Sequence, residues 1–135
     1  MMFIIFALLV LFGITLVFSI LFLFFSIDSL TGDNDLPTRA RVKKAVYTVI
    51  EKYNPYARTF YDLGCCRGGF AVSMKKKFPH LSVIGVENGF VKIFFSRMNN
   101  LFSGRKVRFV RGDIFRMRVE DADIVYAYLP RAMLP

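Results

Sequence analysis

Three acids in this chain occupy positions where carboxylates can bind a ligand. Asp62 stands two residues before Gly64 in FYDLGCCRGG, residues 60 to 69; Glu87 closes LSVIGVE, residues 81 to 87; Asp113 lies in RGDIF. Each follows an apolar run of strand length, so each is expected at the carboxyl end of a strand. The glycines at 64 and 68 allow a tight turn from strand into helix. There the backbone approaches a ligand closely and the helix N-terminus faces it. An acid before that turn suits a ligand with a positive end, an ammonium or a sulfonium, better than a pyrophosphate. Neither G-x-G-x-x-G nor G-x-x-x-x-G-K-[ST] is present, so dinucleotide and P-loop chemistry are disfavoured.

The other reactive side chains offer less. Cys65 and Cys66 are adjacent and are the only 2 cysteines, which makes neither a disulfide framework nor a C-x-x-C site; they fit a reducing compartment. No metal site is expected. The single histidine, His80, follows Pro79 in a turn and is expected in solvent. Each acid also has an ordinary reading: Asp62 as a turn or cap acid, Glu87 as the start of the next helix, Asp113 as turn chemistry after Gly112.

Positioning those acids requires alternating strands and helices. From Thr38 as N-cap, Val42, Val46, Val49 and Ile50 fall on one helical face, and Asn54-Pro55-Tyr56 stops the helix. A strand over 59–63 leads into the glycine loop, and a helix over 69–78 buries Phe70, Met74 and Phe78. Lys75, Lys76 and Lys77 fall in its last turn, where cations suit the helix dipole. A nearly all-apolar strand, 81–87, is expected to be covered on both faces. GFVKIFFSRMNNLF is a further helix. VRFVRGD alternates and suits a strand near a sheet edge, and DIVYAYL, 123 to 129, is a fourth strand. Strands separated by helix-length segments predict a parallel sheet in an α/β fold. Tyr126 and Tyr128 should share a face, and packing against a helix accounts for Tyr126.

Before all this, residues 1–27 contain no charged side chain. As a helix at 1.5 Å per residue they would run about 40 Å, enough to cross a hydrocarbon core of roughly 30 Å. A cleaved signal would show a basic start and a small-x-small site; neither is there. The expected organisation is a transmembrane helix over 1–27, a linker over 28–37 rich in turn formers, and a domain over 38–135. Arg39, Arg41, Lys43 and Lys44 after the span predict a cytoplasmic C-terminal portion. The formal net charge of +9 falls entirely on the residues after the span. Attraction to an anionic membrane surface explains it best, and no basic-aromatic RNA signature or zinc spacing makes nucleic acid an expected partner.

The acid-x-G-x-C-x-G of DLGCCRG resembles the first motif of class I S-adenosylmethionine-dependent methyltransferases, whose pattern is acid-x-G-x-G-x-G. Glu87, 23 residues after Gly64, stands where that family's acid holds the ribose hydroxyls, and Asp113 with Ile114 stands where its acid meets the adenine amino group. The resemblance implies a Rossmann-like parallel sheet, S-adenosylmethionine as cofactor, and cofactor contacts from Asp62, Gly64, Cys66, Gly68, Glu87, Asp113 and Ile114. GVENGFVKIFFSR, VRGDIF and DIVYAYLP are further similar to membrane-anchored protein lysine methyltransferases of the ATP synthase c-subunit type, whose substrate pocket lies beside the positions of Tyr128 and Pro130. Two departures stand out. Cys66 replaces the second glycine, so if that position needs φ > 0 it costs about 1 to 2 kcal/mol, and Cys66→Gly should tighten cofactor binding roughly tenfold. The family also continues with three strands after the fourth, so an incomplete domain is expected, with an exposed sheet edge open to self-association. The leading expectation is a membrane-tethered enzyme acting on a protein lysine. A lipid or small-molecule methyltransferase, or an inactive cofactor-binding fragment, is the alternative.

Overall fold

A computed structural model of the protein describes residues 1–31 and 38–129. Its contacts divide the chain into two compact units, Met1–Asp33 and Asn34–Pro135.

The first unit is one helix, α1 (Met2–Thr31), which continues past residue 27 into the segment expected as linker. Over Met2–Ser26 it is long and apolar enough to cross a membrane. The hydroxyls over Met2–Ser26 turn back onto the helix: Thr15 donates to the Leu11 carbonyl (2.8 Å), Ser19 to Thr15 (2.9 Å) and Ser26 to Phe22 (2.8 Å). This satisfies them without water, as a hydrocarbon surrounding requires.

The second unit runs α2 (Ala40–Tyr53), β1 (Thr59–Leu63), α3 (Gly69–Lys77), β2 (Ser82–Glu87), α4 (Phe90–Ser103), β3 (Arg108–Arg111) and β4 (Ile124–Ala127). The four strands form one parallel sheet in the order β3-β2-β1-β4. The α/β class and the edge position expected for β3 are both observed. Beyond Gly104, which ends α4 in the left-handed region at φ 63°, the chain returns to β3 at the far edge.

The sheet's two faces are covered unequally. On one, Phe60, Val83 and Phe109 pack with Ile50 of α2, Phe70, Ala71 and Met74 of α3, and Ile93 of α4. On the other, only Tyr61, Ile84 and Val86 are buried, under Ile114, Met117, Val119 and Ala122 of the irregular segment before β4. Asp123 fastens the lower end of the sheet by accepting hydrogen bonds from the amides of Arg58 (2.7 Å) and Thr59 (2.9 Å). These two amides hold its carboxyl below the usual range.

Several expectations shift in detail. The N-cap of α2 is Arg39, with no side-chain capping bond, in place of Thr38. Val46 and Ile50 face the core as expected, but Val49 is 54% exposed and Tyr47 packs inward in its place. Lys75 is not simply solvated: its ammonium donates to the carbonyls of Pro79 (2.8 Å) and Leu81 (2.6 Å), tying α3 to the start of β2. Lys77 pairs with Glu51 of α2 at 2.6 Å.

Candidate functional site

The loop from β1 to α3 is built on three left-handed residues in five positions. Gly64 has φ 77°, Cys66 50° and Gly68 72°; Cys66 is the only non-glycine of positive φ among the described residues. The condition attached to Cys66 is therefore met, and its Cβ strains the backbone there. The loop is held by hydrogen bonds. The amides of Gly64 and Cys65 donate to the Val86 carbonyl (2.9 and 3.0 Å), and Gly68 donates to Cys65 (2.8 Å). Gly68 is required sterically as well, since a Cβ would lie 2.5 Å from the Phe109 ring and 2.9 Å from Cβ of Ser96. It is where loop, β3 and α4 approach most closely.

Asp62 and Tyr126 are register partners on β1 and β4, so their side chains leave the same face of the sheet, the helix-covered one. Both line a cleft of about 320 Å³ at the strands' carboxyl ends, together with Gly64, Cys66, Phe70 and Tyr128. That volume lies at the small end of ligand pockets. The Tyr126 ring packs on Phe70 of α3 at 4.6 Å, which accounts for its body but not its hydroxyl. Asp62 is 3% exposed. Its Oδ2 and the Tyr126 hydroxyl are both buried without a well-formed hydrogen bond, although such groups nearly always find a partner. Burial, with the nearby Glu87 carboxylate adding to it, pushes the Asp62 carboxyl up to about 7, against the opposing pull of the Ala71 amide. Burial likewise raises the Tyr126 hydroxyl, opposed by Thr38.

Glu87 is buried at the end of β2 and ties the loop to that strand: it accepts from the amides of Cys66 (3.0 Å) and Gly89 (2.9 Å). The last residue of β2 also takes the Gly112 amide on its own carbonyl (3.1 Å), which sets the end of β3 beside it. Asp113 follows Gly112 but turns away from the cleft. It caps its own turn by accepting from the Phe115 amide (3.0 Å) and lies 3.6 Å from Arg116. Ile114 packs under the opposite face of the sheet. Of the proposed cofactor contacts, Asp62, Gly64 and Cys66 thus line one cleft, Gly68 and Glu87 support the loop, and Asp113 and Ile114 lie outside the cleft. Tyr128 lines it; Pro130 is outside the described residues.

The cleft also contains residues that the sequence did not single out. Thr38, Lys43, Arg67 and Asn99 line it. Lys43 reaches it from α2 and donates to Ser73 Oγ (3.2 Å); helical periodicity had placed it away from the apolar face. Arg67 belongs to the quoted loop, and its position between two left-handed residues was the available signal. Cys65 is packed inside, its thiol pushed up by burial, and supplies no nucleophile. Among the described residues no group of His, Cys, Asp and Glu could hold a metal.

No family model matches the sequence, and no curated protein matches it. Solved structures do share its fold. An RNA methyltransferase from Salinibacter ruber in complex with S-adenosyl-L-homocysteine superposes with a TM-score of 0.63 at 22% identity, over 72% of this chain and 63% of that one. The plantazolicin methyltransferase BpumL, in complex with a pentazolic desmethylPZN analogue and S-adenosyl-L-homocysteine, gives 0.54 at 18% identity over 74% of this chain and 39% of its own. A protein of echinomycin biosynthesis, from work on conversion of a disulfide into a thioacetal, gives 0.53 at 21% over 62% and 35%. The chain thus spans less than two thirds of the length of each. At these identities the likeness is one of fold.

Proposed function

We propose that this chain is a membrane-tethered S-adenosylmethionine-dependent methyltransferase whose acceptor is a lysine side chain of a protein at or in the membrane. The observation that carries the reading is the pair of unsatisfied polar atoms, Asp62 Oδ2 and the Tyr126 hydroxyl, facing a cleft beside a left-handed glycine turn. A buried acid left short of a partner is costly to the fold. A ligand ammonium would satisfy it and, by supplying positive charge, return its carboxyl toward the ionised form.

The residues fit the cofactor. Asp62 would hold the ammonium of its amino-acid end. The 64–68 backbone would run alongside the ligand, and Glu87 would take the ribose hydroxyls. Two of the roughly four acceptor positions of a carboxylate are used by the Cys66 and Gly89 amides, and two remain. When bound, S-adenosylmethionine supplies an electrophilic methyl group on a sulfonium. The protein's part is to align a lone pair behind that methyl and to exclude water, tasks for which Phe70, Tyr126 and Tyr128 supply apolar walls. An amine acceptor must be neutral to react. With Asp62 paired to the cofactor's ammonium, Lys43 and Arg67 in the same cleft disfavour a further cation there, which lowers the pKa of an entering lysine. That effect favours an amine, and no histidine base stands at the strand ends. The apolar length of α1 and the basic residues after it support a membrane anchor with the domain on the cytoplasmic side.

Purified full-length chain in lipid nanodiscs should bind S-adenosyl-L-homocysteine by calorimetry and, added to membranes with methyl-labelled cofactor, should leave methyl-lysine in the protein hydrolysate. No binding heat would remove the cofactor assignment. Label recovered only from lipid or RNA would keep the cofactor and replace the lysine.

A further inference from the structure

α4 carries its apolar face outward. At about 100° per residue, Phe90, Leu101, Phe94, Met98, Val91, Phe102 and Phe95 fall within an arc of roughly 140°. Of these, Phe90 is 63% exposed, Phe94 53%, Leu101 73% and Phe102 81%. An ordinary surface helix turns such an arc toward the core. Here only Ile93 and Ser96 of the helix are buried.

The orientation is fixed by polar contacts on the inner side. Asn100 holds both backbone groups of Val107, donating to its carbonyl (2.9 Å) and accepting from its amide (3.1 Å). Arg97 donates to the Phe109 carbonyl (3.3 Å), and Ser96 fills the place beside Gly68. Turning the arc inward would break all of these. Further strands would not cover it either. α4 packs on β2 and β3, so strands added beside β4, at the other side of the sheet, would lie away from it.

Charge indicates what lies against this face. From Asn88 to Gly112 there are six basic residues and no acidic one. The Arg67 guanidinium lies over Phe95 at 5.9 Å and that of Arg111 over Phe90 at 5.8 Å, so cations border the aromatic patch. An apolar helix face with a cationic rim and no anions is the composition that settles into the headgroup region of an anionic leaflet.

We propose that α4 is an interfacial helix that lies on the anionic surface of the bilayer into which α1 inserts; the inference rests on reading α1 as a membrane span. Leu101, Phe94 and Phe102 enter the acyl boundary, while Arg111, Arg97 and Arg105 meet lipid phosphates. Docking adds a second hold to the covalent anchor and keeps the domain at the surface where a membrane-protein acceptor is found.

The chain has no tryptophan, so single indoles report cleanly. Full-length Phe94→Trp and Phe102→Trp variants, reconstituted in anionic nanodiscs containing lipids brominated near the headgroup, should lose fluorescence at least about twofold relative to unbrominated discs. The loss should shrink in zwitterionic discs and in 1 M salt. Tyr56→Trp, at a 90% exposed turn before β1, is the control and should be quenched far less. Equal quenching at positions 56 and 94 overturns the proposal. So does indole emission that ignores bromine but responds to protein concentration, which would give the face to a second copy, or to added RNA, which would give it to nucleic acid. Alkaline carbonate extraction reads α1 separately: release of the chain refutes the span and the docking with it, whereas a retained chain with unquenched indoles refutes the docking alone.

Discussion

Asp62 near the end of β1 and Asp113 just past the end of β3 are the same side chain at the carboxyl ends of two parallel strands with β2 between them, and their surroundings treat them oppositely. Asp62 is 3% exposed, and its Oδ2 is buried without a well-formed hydrogen bond. The Asp113 side chain is 47% exposed, accepts from the Phe115 amide of the turn it caps and lies 3.6 Å from Arg116. A carboxylate that closes its own turn is explained by local structure. One held dry and short of a partner is unfavourable for the fold, and that cost is recovered only if something binds it. The β1 end is therefore where a ligand would act on the protein's energetics, and the β3 end is a scaffold that shapes the turn.

Three substitutions test that contrast. Asp62→Asn should have the largest effect. An acid raised to about 7 in the folded chain from an ordinary 3.8 binds more protons folded than unfolded between those values. Stability is therefore full below about pH 4 and falls by up to about 4 kcal/mol as pH rises to 7. Thermal melts of Asp62→Asn should lack this slope and lie above those of the parent at pH 8, while S-adenosylmethionine affinity drops by tenfold or more. A slope that survives the substitution would show that Asp62 is not the buried acid responsible. Cys66→Gly comes next. Relief of the left-handed strain, about 1 to 2 kcal/mol, is partly cancelled by the added freedom of the unfolded chain, leaving a gain of about 0.5–1 kcal/mol. Removing the side chain from the cleft should also tighten cofactor binding, up to about tenfold; weaker binding by calorimetry would mean that Cys66 supports the ligand. Asp113→Asn should matter least, within about 0.5 kcal/mol in chemical denaturation, as for an exposed position. A tenfold loss of affinity there would mean that the β3 end closes on the ligand, and the contrast would have to be redrawn.

Much of this was legible in the residues. Alternating apolar runs and turn formers predict the strands, and DLG before a glycine predicts the strand-to-loop transition, because short-range backbone chemistry controls both. The strain at Cys66 follows from a side chain in a glycine pattern. What the sequence does not carry is direction. Periodicity gives α4 an apolar face but not where it points, since hydrogen bonds from Asn100 to Val107 and from Arg97 to Phe109 decide that. Lys43 and Thr38 enter the cleft from more than 20 residues before the loop, a long-range placement that no local pattern encodes. The different fates of Asp62 and Asp113 depend on which strand edge is covered by helices, which is known only once the sheet is assembled.

Gly68 has no side chain at the point where the Phe109 ring and Ser96 would be only 2.5 and 2.9 Å from a Cβ. That leaves no slack between the glycine turn and α4. A push on α4 would therefore reach the turn without being absorbed on the way, so that docking of this helix on a bilayer would be felt as a displacement of the backbone beside Asp62.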